Sequence, residues 1–241
     1  MIRTIVVPII GPVLDPEKVS EQALPVARSV ARRTGAMVTL VSVIEMLEEL
    51  GGLPESEYFN PETLHHQIAD RYEYLNAIAA TFPAGRVKTV VRVGEVAPTI
   101  LGVLNLIADP LLVMASNGHA GIKRLLLGSV AFQCVQRAHC PVIVVPVQHL
   151  PLADDMTIQR LLVPLDGSAH AEYALGETVE AFGGEDLHIH LIEVVEGVSR
   201  WPSVRQYEYL PTLRQFAGGY PADVAGRATG PVGGGARGTY T

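Results

Sequence analysis

Apolar, β-branched runs alternate with helix-patterned segments along residues 1–147, and this alternation limits the fold more than any other feature. Thr4–Ile9 reads as a strand buried on both faces. Residues 17–34 place Val19, Ala23, Val26, Val30 and Ala31 at helical spacing, and Gly35 stops the segment. Pro25 inside it predicts a kink or a late helix start. Further strands are expected at Val38–Ile44, Val87–Val93, Leu111–Ala115 and Val142–Val147. Helices are expected from Asn60-Pro61-Glu62 to near Thr81, over Ala97–Ala108 and over Leu126–Arg137. Residues 46–60, with Gly51, Gly52 and Pro54, read as an irregular loop. Such an order requires crossover connections, so the expected class is α/β: an open five-stranded parallel sheet with helices on both faces.

The pattern then begins again. IRTIVVPIIGP (2–12) is echoed by IQRLLVPLDGS (158–168), EQAL (21–24) by EYAL (172–175), and LVSVIE (40–45) by LIEVVE (191–196). The first pair differs in offset from the later ones by five residues, which predicts a short insertion after the first strand of the first copy. The expected organisation is a complete domain at 1–147, a linker at 148–157 and a partial second copy at 158–215. No third strand is expected in that copy, and residues 216–241, with eight glycines, read as a disordered tail.

Composition removes several classes of function. At 48% hydrophobic and 18% charged, a chain of 241 residues can bury a core. A net charge of −7 argues against nucleic acid as a partner. No apolar run reaches the ~18 residues that a membrane span needs, and a cytoplasmic setting is expected. Cys134 and Cys140 read as small buried hydrophobes rather than a disulfide framework.

The stretch MASNGHAGIKRLLLGSV (114–130) leaves the end of the fourth expected strand. In open α/β sheets, ligands sit outside the carboxyl ends of the strands, where the strand order reverses. Glycines let a backbone approach a ligand closely, and Gly128-Ser129 opens a helix whose free N–H groups favour an anion. His119, Lys123 and Arg124 add positive charge. A bound phosphate chain accounts for these features, as against a loop that uses glycine only for turning. Neither the dinucleotide fingerprint nor the Walker loop fits, because the first turn has only Gly11 and Gly128, not Lys, stands directly before Ser129.

These residues resemble the universal stress protein family, whose nucleotide-binding members carry G-x2-G-x9-G-[ST] after the fourth strand. This chain reads Ala115-x2-Gly118-x9-Gly128-Ser129, followed by LLLGSVA across the last glycine and then CPVIVVP. The resemblance covers residues 1–147 and, more weakly, 158–215; it is to the tandem form of the family, with a truncated second domain. It implies a Rossmann-like fold of the adenine nucleotide alpha hydrolase type and a bound adenine nucleotide, ATP with or without magnesium. Gly118, Gly128, Ser129 and Val130 would surround the phosphates, with Asn117 in the same loop. Val43 would lie beside the adenine, and Pro8 and Met114 near the ribose and base. There are two departures. Ala115 replaces the first glycine, and Ile10 stands where the family commonly has an acidic residue, one that Asp166 retains in the second copy. The resemblance also implies a homodimer through the edge strand Val142–Val147, whose apolar run would otherwise be unprotected.

Other constellations carry less. His188-x-His190 has no third ligand, His65-His66 reads as a solvated pair on a helix, and Asp154-Asp155 as a linker charge pair. Gly167-Ser168 lacks a nucleophile elbow. No metal site and no catalytic residue are expected, and without a general base near a γ-phosphate any hydrolysis is expected to be slow. The expected function is a nucleotide-binding stress-response module without efficient catalysis. The alternatives are a nucleotide-free dimeric interaction protein of the same fold and an adenylyl-transferring enzyme.

Overall fold

Five parallel strands form one sheet: β1 (Thr4–Pro8), β2 (Met37–Ile44), β3 (Val87–Val93), β4 (Pro110–Ser116) and β5 (Val142–Pro146). Their spatial order is β3-β2-β1-β4-β5. The computed structural model describes residues 2–45, 61–116, 128–147, 153–154, 156–165, 168–182, 187–195 and 203–209. It divides into two units, Met1–Met156 and Thr157–Thr241.

In the first unit β1, β2 and β4 carry long apolar runs because both faces of the sheet are covered. Helices α1 (Leu24–Thr34) and α2 (Pro61–Ala79) pack over β1, β2 and β3. Ile5, Val7 and Leu40 are fully buried, as is Leu75 from α2. The alternate residues Val6, Val41, Leu112 and Met114 form a second cluster with Ile100 and Val103 of α3 (Val96–Asn105) and Cys134 of α4 (Ser129–Arg137). Burying a Leu or Ile side chain contributes about 1.5–3 kcal/mol, so the two layers hold the sheet from both sides.

The helix expected over 17–34 starts late. Val19–Ala23 forms a 3₁₀ turn, and α1 begins at Leu24 with Pro25 in its first turn, where the missing N–H costs nothing. Gly35 ends it with φ 69°, its N–H donating to the Ala31 carbonyl at 3.0 Å. The α3 helix stops at Asn105, short of the expected Ala108. The expected irregular loop at 46–60 lies outside the described residues.

The second unit contains β6 (Arg160–Leu165), α5 (Ala169–Phe182), β7 (His188–Val195) and β8 (Ser203–Tyr209). β6 and β7 run parallel, with Arg160 opposite His188, just as Thr4 stands opposite Met37 in the first unit. The sequence echo pairs Thr4 with Arg160 and Met37 with His188, so the strand register recurs although the intervening chain differs by five residues. The expectation of no third strand is corrected. β8 pairs antiparallel with β7, Ile189 opposite Tyr209 and Val195 opposite Ser203. Only residues 196–202 separate β7 from β8. A parallel return needs a crossover of a dozen or more residues, so the chain can only fold back as a hairpin. The expected tail at 216–241 lies outside the described residues.

Candidate functional site

β1 stays paired with β2 as far as Pro8 opposite Val41, and the Ile9 N–H extends this ladder to the Val41 carbonyl at 2.8 Å. Its pairing with β4 stops earlier, at Val6 opposite Leu112. Beyond that level the β1–β4 ladder ends, at the carboxyl end of β1. It is the topological switch point, since the chain winds from β1 towards β2 and β3 on one side while β4 and β5 lie on the other.

The sequence-predicted residues gather here to different degrees. Met114 is 4% exposed, and Val43 and Val130 pack against the cluster that contains it. These side chains, from β2, β4 and α4, share one apolar cluster. Pro8 ends β1, and Ala115, opposite Val145 on β5, is half-buried. Gly128 is the N-cap of α4, and being glycine it brings no side-chain acceptor of its own to the first N–H groups of that helix. Ser129, the first helical residue, is exposed. Asn117 and Gly118 lie outside the described residues, as do His119, Lys123 and Arg124.

Ile10 is 39% exposed at the rim, and its N–H donates to Ser20 Oγ at 3.0 Å. Around it lies a polar group that sequence reasoning missed. Asp15 is buried, at 5% exposure. It accepts from the Val19 N–H at 2.8 Å and from the Ser20 N–H and hydroxyl, both at 2.7 Å. Asp15 thereby caps the 3₁₀ turn ahead of α1 and fixes the loop that follows β1. Its signal in the sequence is an Asp-Pro pair just before a helical segment.

Arg71 and Tyr74 reach the same loop from α2. The Tyr74 hydroxyl donates to Glu21 Oε1, and Lys18 Nζ lies 3.3 Å from that oxygen. Burial, followed by the bond to Glu21, raises the Tyr74 pKa, so the phenol stays protonated. The Arg71 guanidinium lies against Gly11, where a β-carbon would overlap Nη1 and Cζ. Glycine at 11 allows this close approach, and a larger residue there would displace the guanidinium. Nη1 is buried and has no hydrogen-bond partner among the described residues, and burial lowers the Arg71 pKa.

The remaining candidates lie elsewhere. Cys134 is buried, Cys140 is half-buried, and both are free thiols. His188 and His190 sit on β7, the first exposed and the second half-buried. Among the described residues no group of three or more His, Cys, Asp or Glu could hold a metal ion, and no helix is long and apolar enough to cross a membrane.

The model of the Universal stress protein family matches residues 1–146. Over 35 residues the chain is 54% identical to Universal stress protein MJ0531 of Methanocaldococcus jannaschii, a match covering 14% of this chain and 21% of that protein. The chain thus spans about a fifth of the length of that curated relative. Among solved structures, a universal stress protein from Archaeoglobus fulgidus is similar with a TM-score of 0.58 and 23% identity, covering 82% of this chain and 67% of that one. Hypothetical protein MJ0577 is similar with a TM-score of 0.50 and 24% identity, covering 62% and 99%. Both structures share the open parallel α/β sheet. With more than half of its length matched by the family model, the chain belongs to the universal stress protein family.

Proposed function

We propose that this chain is a regulatory module that binds an adenine nucleotide, ATP in the first instance, in the crevice between β1 and β4. The observation that carries this reading is the start of α4 at Gly128-Ser129, whose N-cap glycine brings no side-chain acceptor, beside the apolar cluster that holds Val43, Met114 and Val130. A helix N-terminus without a side-chain acceptor suits a phosphate group, and an apolar wall suits a base. The reading includes no catalytic residue and no efficient turnover. It sets the protein in a reducing cytosol, in keeping with its free thiols. It also has two chains pair through β5, whose Val142–Val145 run is uncharged, whereas the opposite edge β3 carries the exposed Lys88 and Arg92.

A second reading, a nucleotide-free dimeric interaction protein, draws on Ile10 at the rim and on Ala115 in place of a glycine. Calorimetric titration of the full chain with ATP, ADP and AMP in the presence of magnesium separates the two. Saturable binding at micromolar to millimolar concentration supports the nucleotide reading. No heat up to several millimolar ATP leaves the interaction protein.

A further inference from the structure

β3 pairs with β2 on one side, and among the described residues no strand pairs with it on the other. Hydrogen bonds at its two ends fix which peptide groups face outwards. The Val38 N–H donates to the Arg86 carbonyl at 2.9 Å, and the Gly94 N–H donates to the Ile44 carbonyl at 3.0 Å. The even-numbered residues between them therefore turn their peptide groups towards β2, and Val87, Thr89, Val91 and Val93 turn theirs to the open edge. Side chains alternate between the two faces on the same period. On one face the Thr89 hydroxyl donates to Asn76 Oδ1 of α2 at 3.1 Å. On the other, Lys88, Val90 and Arg92 line a groove of about 330 Å³ with Met37 of β2 and with Leu106 and Ile107, just beyond α3. Lys88 and Arg92 are exposed, and neither meets a carboxylate among the described residues. Arg92 Nη1 donates to the Val91 carbonyl at 3.0 Å.

We propose that this edge and groove bind an extended acidic segment of a partner protein, which adds to β3 as a sixth strand. An added strand takes its affinity from main-chain hydrogen bonds and its specificity from alternate side chains. The main-chain groups here are the outward ones of Val87, Thr89 and Val93, with that of Val91 once Arg92 releases it. The side chains on the groove face read cation, apolar, cation at Lys88, Val90 and Arg92. A matching segment carries an acid, an apolar residue and a second acid at every other position. Its apolar side chain lies over Val90 and covers Leu106, which is otherwise 82% exposed. The two cations stand on a chain whose net charge is −7, and they supply the complementarity to an acidic partner. Charge also decides against a second copy of this edge, since two β3 strands would set lysine and arginine against each other. The groove begins at Met37, the first residue of β2, whereas the nucleotide reading concerns the carboxyl ends of the strands. The two sites are therefore separate, and neither reading depends on the other.

The test is fluorescence anisotropy of a labelled peptide, Thr-Glu-Thr-Leu-Thr-Glu-Thr with blocked termini, titrated with the full chain. The expected result is saturable binding at sub-millimolar concentration that weakens as salt is added. An isomer with its two glutamates adjacent, so that one alone can face the groove, should bind about tenfold less tightly. N-methylation at alternate residues should abolish binding in one phase of the alternation and spare it in the other, as for a strand with one paired edge. The double variant Lys88→Glu, Arg92→Glu should lose the acidic peptide and gain its lysine counterpart, with circular dichroism melts confirming that it is folded. Absence of binding to the wild-type protein would overturn the proposal, as would equal binding of the two methylated forms. Undiminished affinity for the acidic peptide in the folded double variant would overturn it too. A single-stranded oligothymidylate that binds as tightly as the peptide would assign the cations to a nucleic-acid backbone instead.

Discussion

Arg28 on α1 pairs with Asp154, 126 residues further along the chain, and so pins the segment beyond β5 to the first helix. The same guanidinium donates to Thr81 Oγ1 and lies over the Phe82 ring, 4.6 Å from its centroid. The Arg28 side chain is 13% exposed and that of Asp154 77%. Removing the exposed partner in Asp154→Ala should cost about 0.5–1 kcal/mol, as for a partly screened ion pair. Arg28→Ala also loses the ring contact and the packing of the stem, and should cost about 2–3 kcal/mol. Urea denaturation of both variants measures the difference, and equal losses would contradict this account.

Placing a carboxylate at the rim should change nucleotide affinity. Ile10→Asp should tighten ADP about tenfold, since a shielded charged hydrogen bond contributes about 1–3 kcal/mol. Calorimetric titration of the wild type and the variant checks this. Unchanged affinities would place residue 10 away from the ligand.

The β5 edge gives a test of assembly. Val142, Ile143 and Val144 are half-buried in the single chain, and Val145 is 4% exposed. If two chains pair through this edge, Val144→Lys should convert a dimer to a monomer, because charge at a paired edge is left without a partner. Light scattering gives the mass directly. A wild-type monomer would dismiss the interface.

Burial pushes the thiols of Cys134 and Cys140 above the usual 9.0. The neighbouring Cys140 raises Cys134 further while Arg137 opposes the rise, and a backbone hydrogen bond at Leu112 partly offsets the shift at Cys140. A raised folded pKa means that the native state keeps protons which the unfolded chain releases near pH 9. The contribution to stability is full below that pH and is lost as pH rises through the folded values. Tyr74, also raised, acts in the same direction at higher pH. The double variant Cys134→Ala, Cys140→Ala should lose less stability between pH 8 and pH 10.5 than the wild type, measured by denaturation at each pH. An identical alkaline decline would show that the thiols are not responsible.

The sheet of the first unit was legible because its strands are apolar on both faces and its helices are not. Val87–Val93 coincides with β3, and Pro25 marked the late start of α1 for the reason that the structure displays. The order of the strands was not, since alternation requires crossovers but leaves the order open. Nor was the contact between Arg71 and Gly11. Arg71 meets Gly11 only because α2 folds back over the sheet, and sixty residues of chain separate the two. β8 escaped notice because a hairpin is decided by the length of 196–202 rather than by the repeat pattern.

The recurrence of one strand register across two loops of unequal length has an engineering consequence. Pairing of the first two strands in each sheet is insulated from whatever joins them, so the connector above β1 behaves as an interchangeable cassette. Replacing residues 10–17 by the shorter Asp-Gly-Ser version from the second unit would place an acidic group directly after β1 while keeping the Thr4–Pro8 pairing with Met37–Val41. Ligand preference in such a scaffold can drift quickly, since the part that discriminates is mechanically separate from the part that holds the protein together.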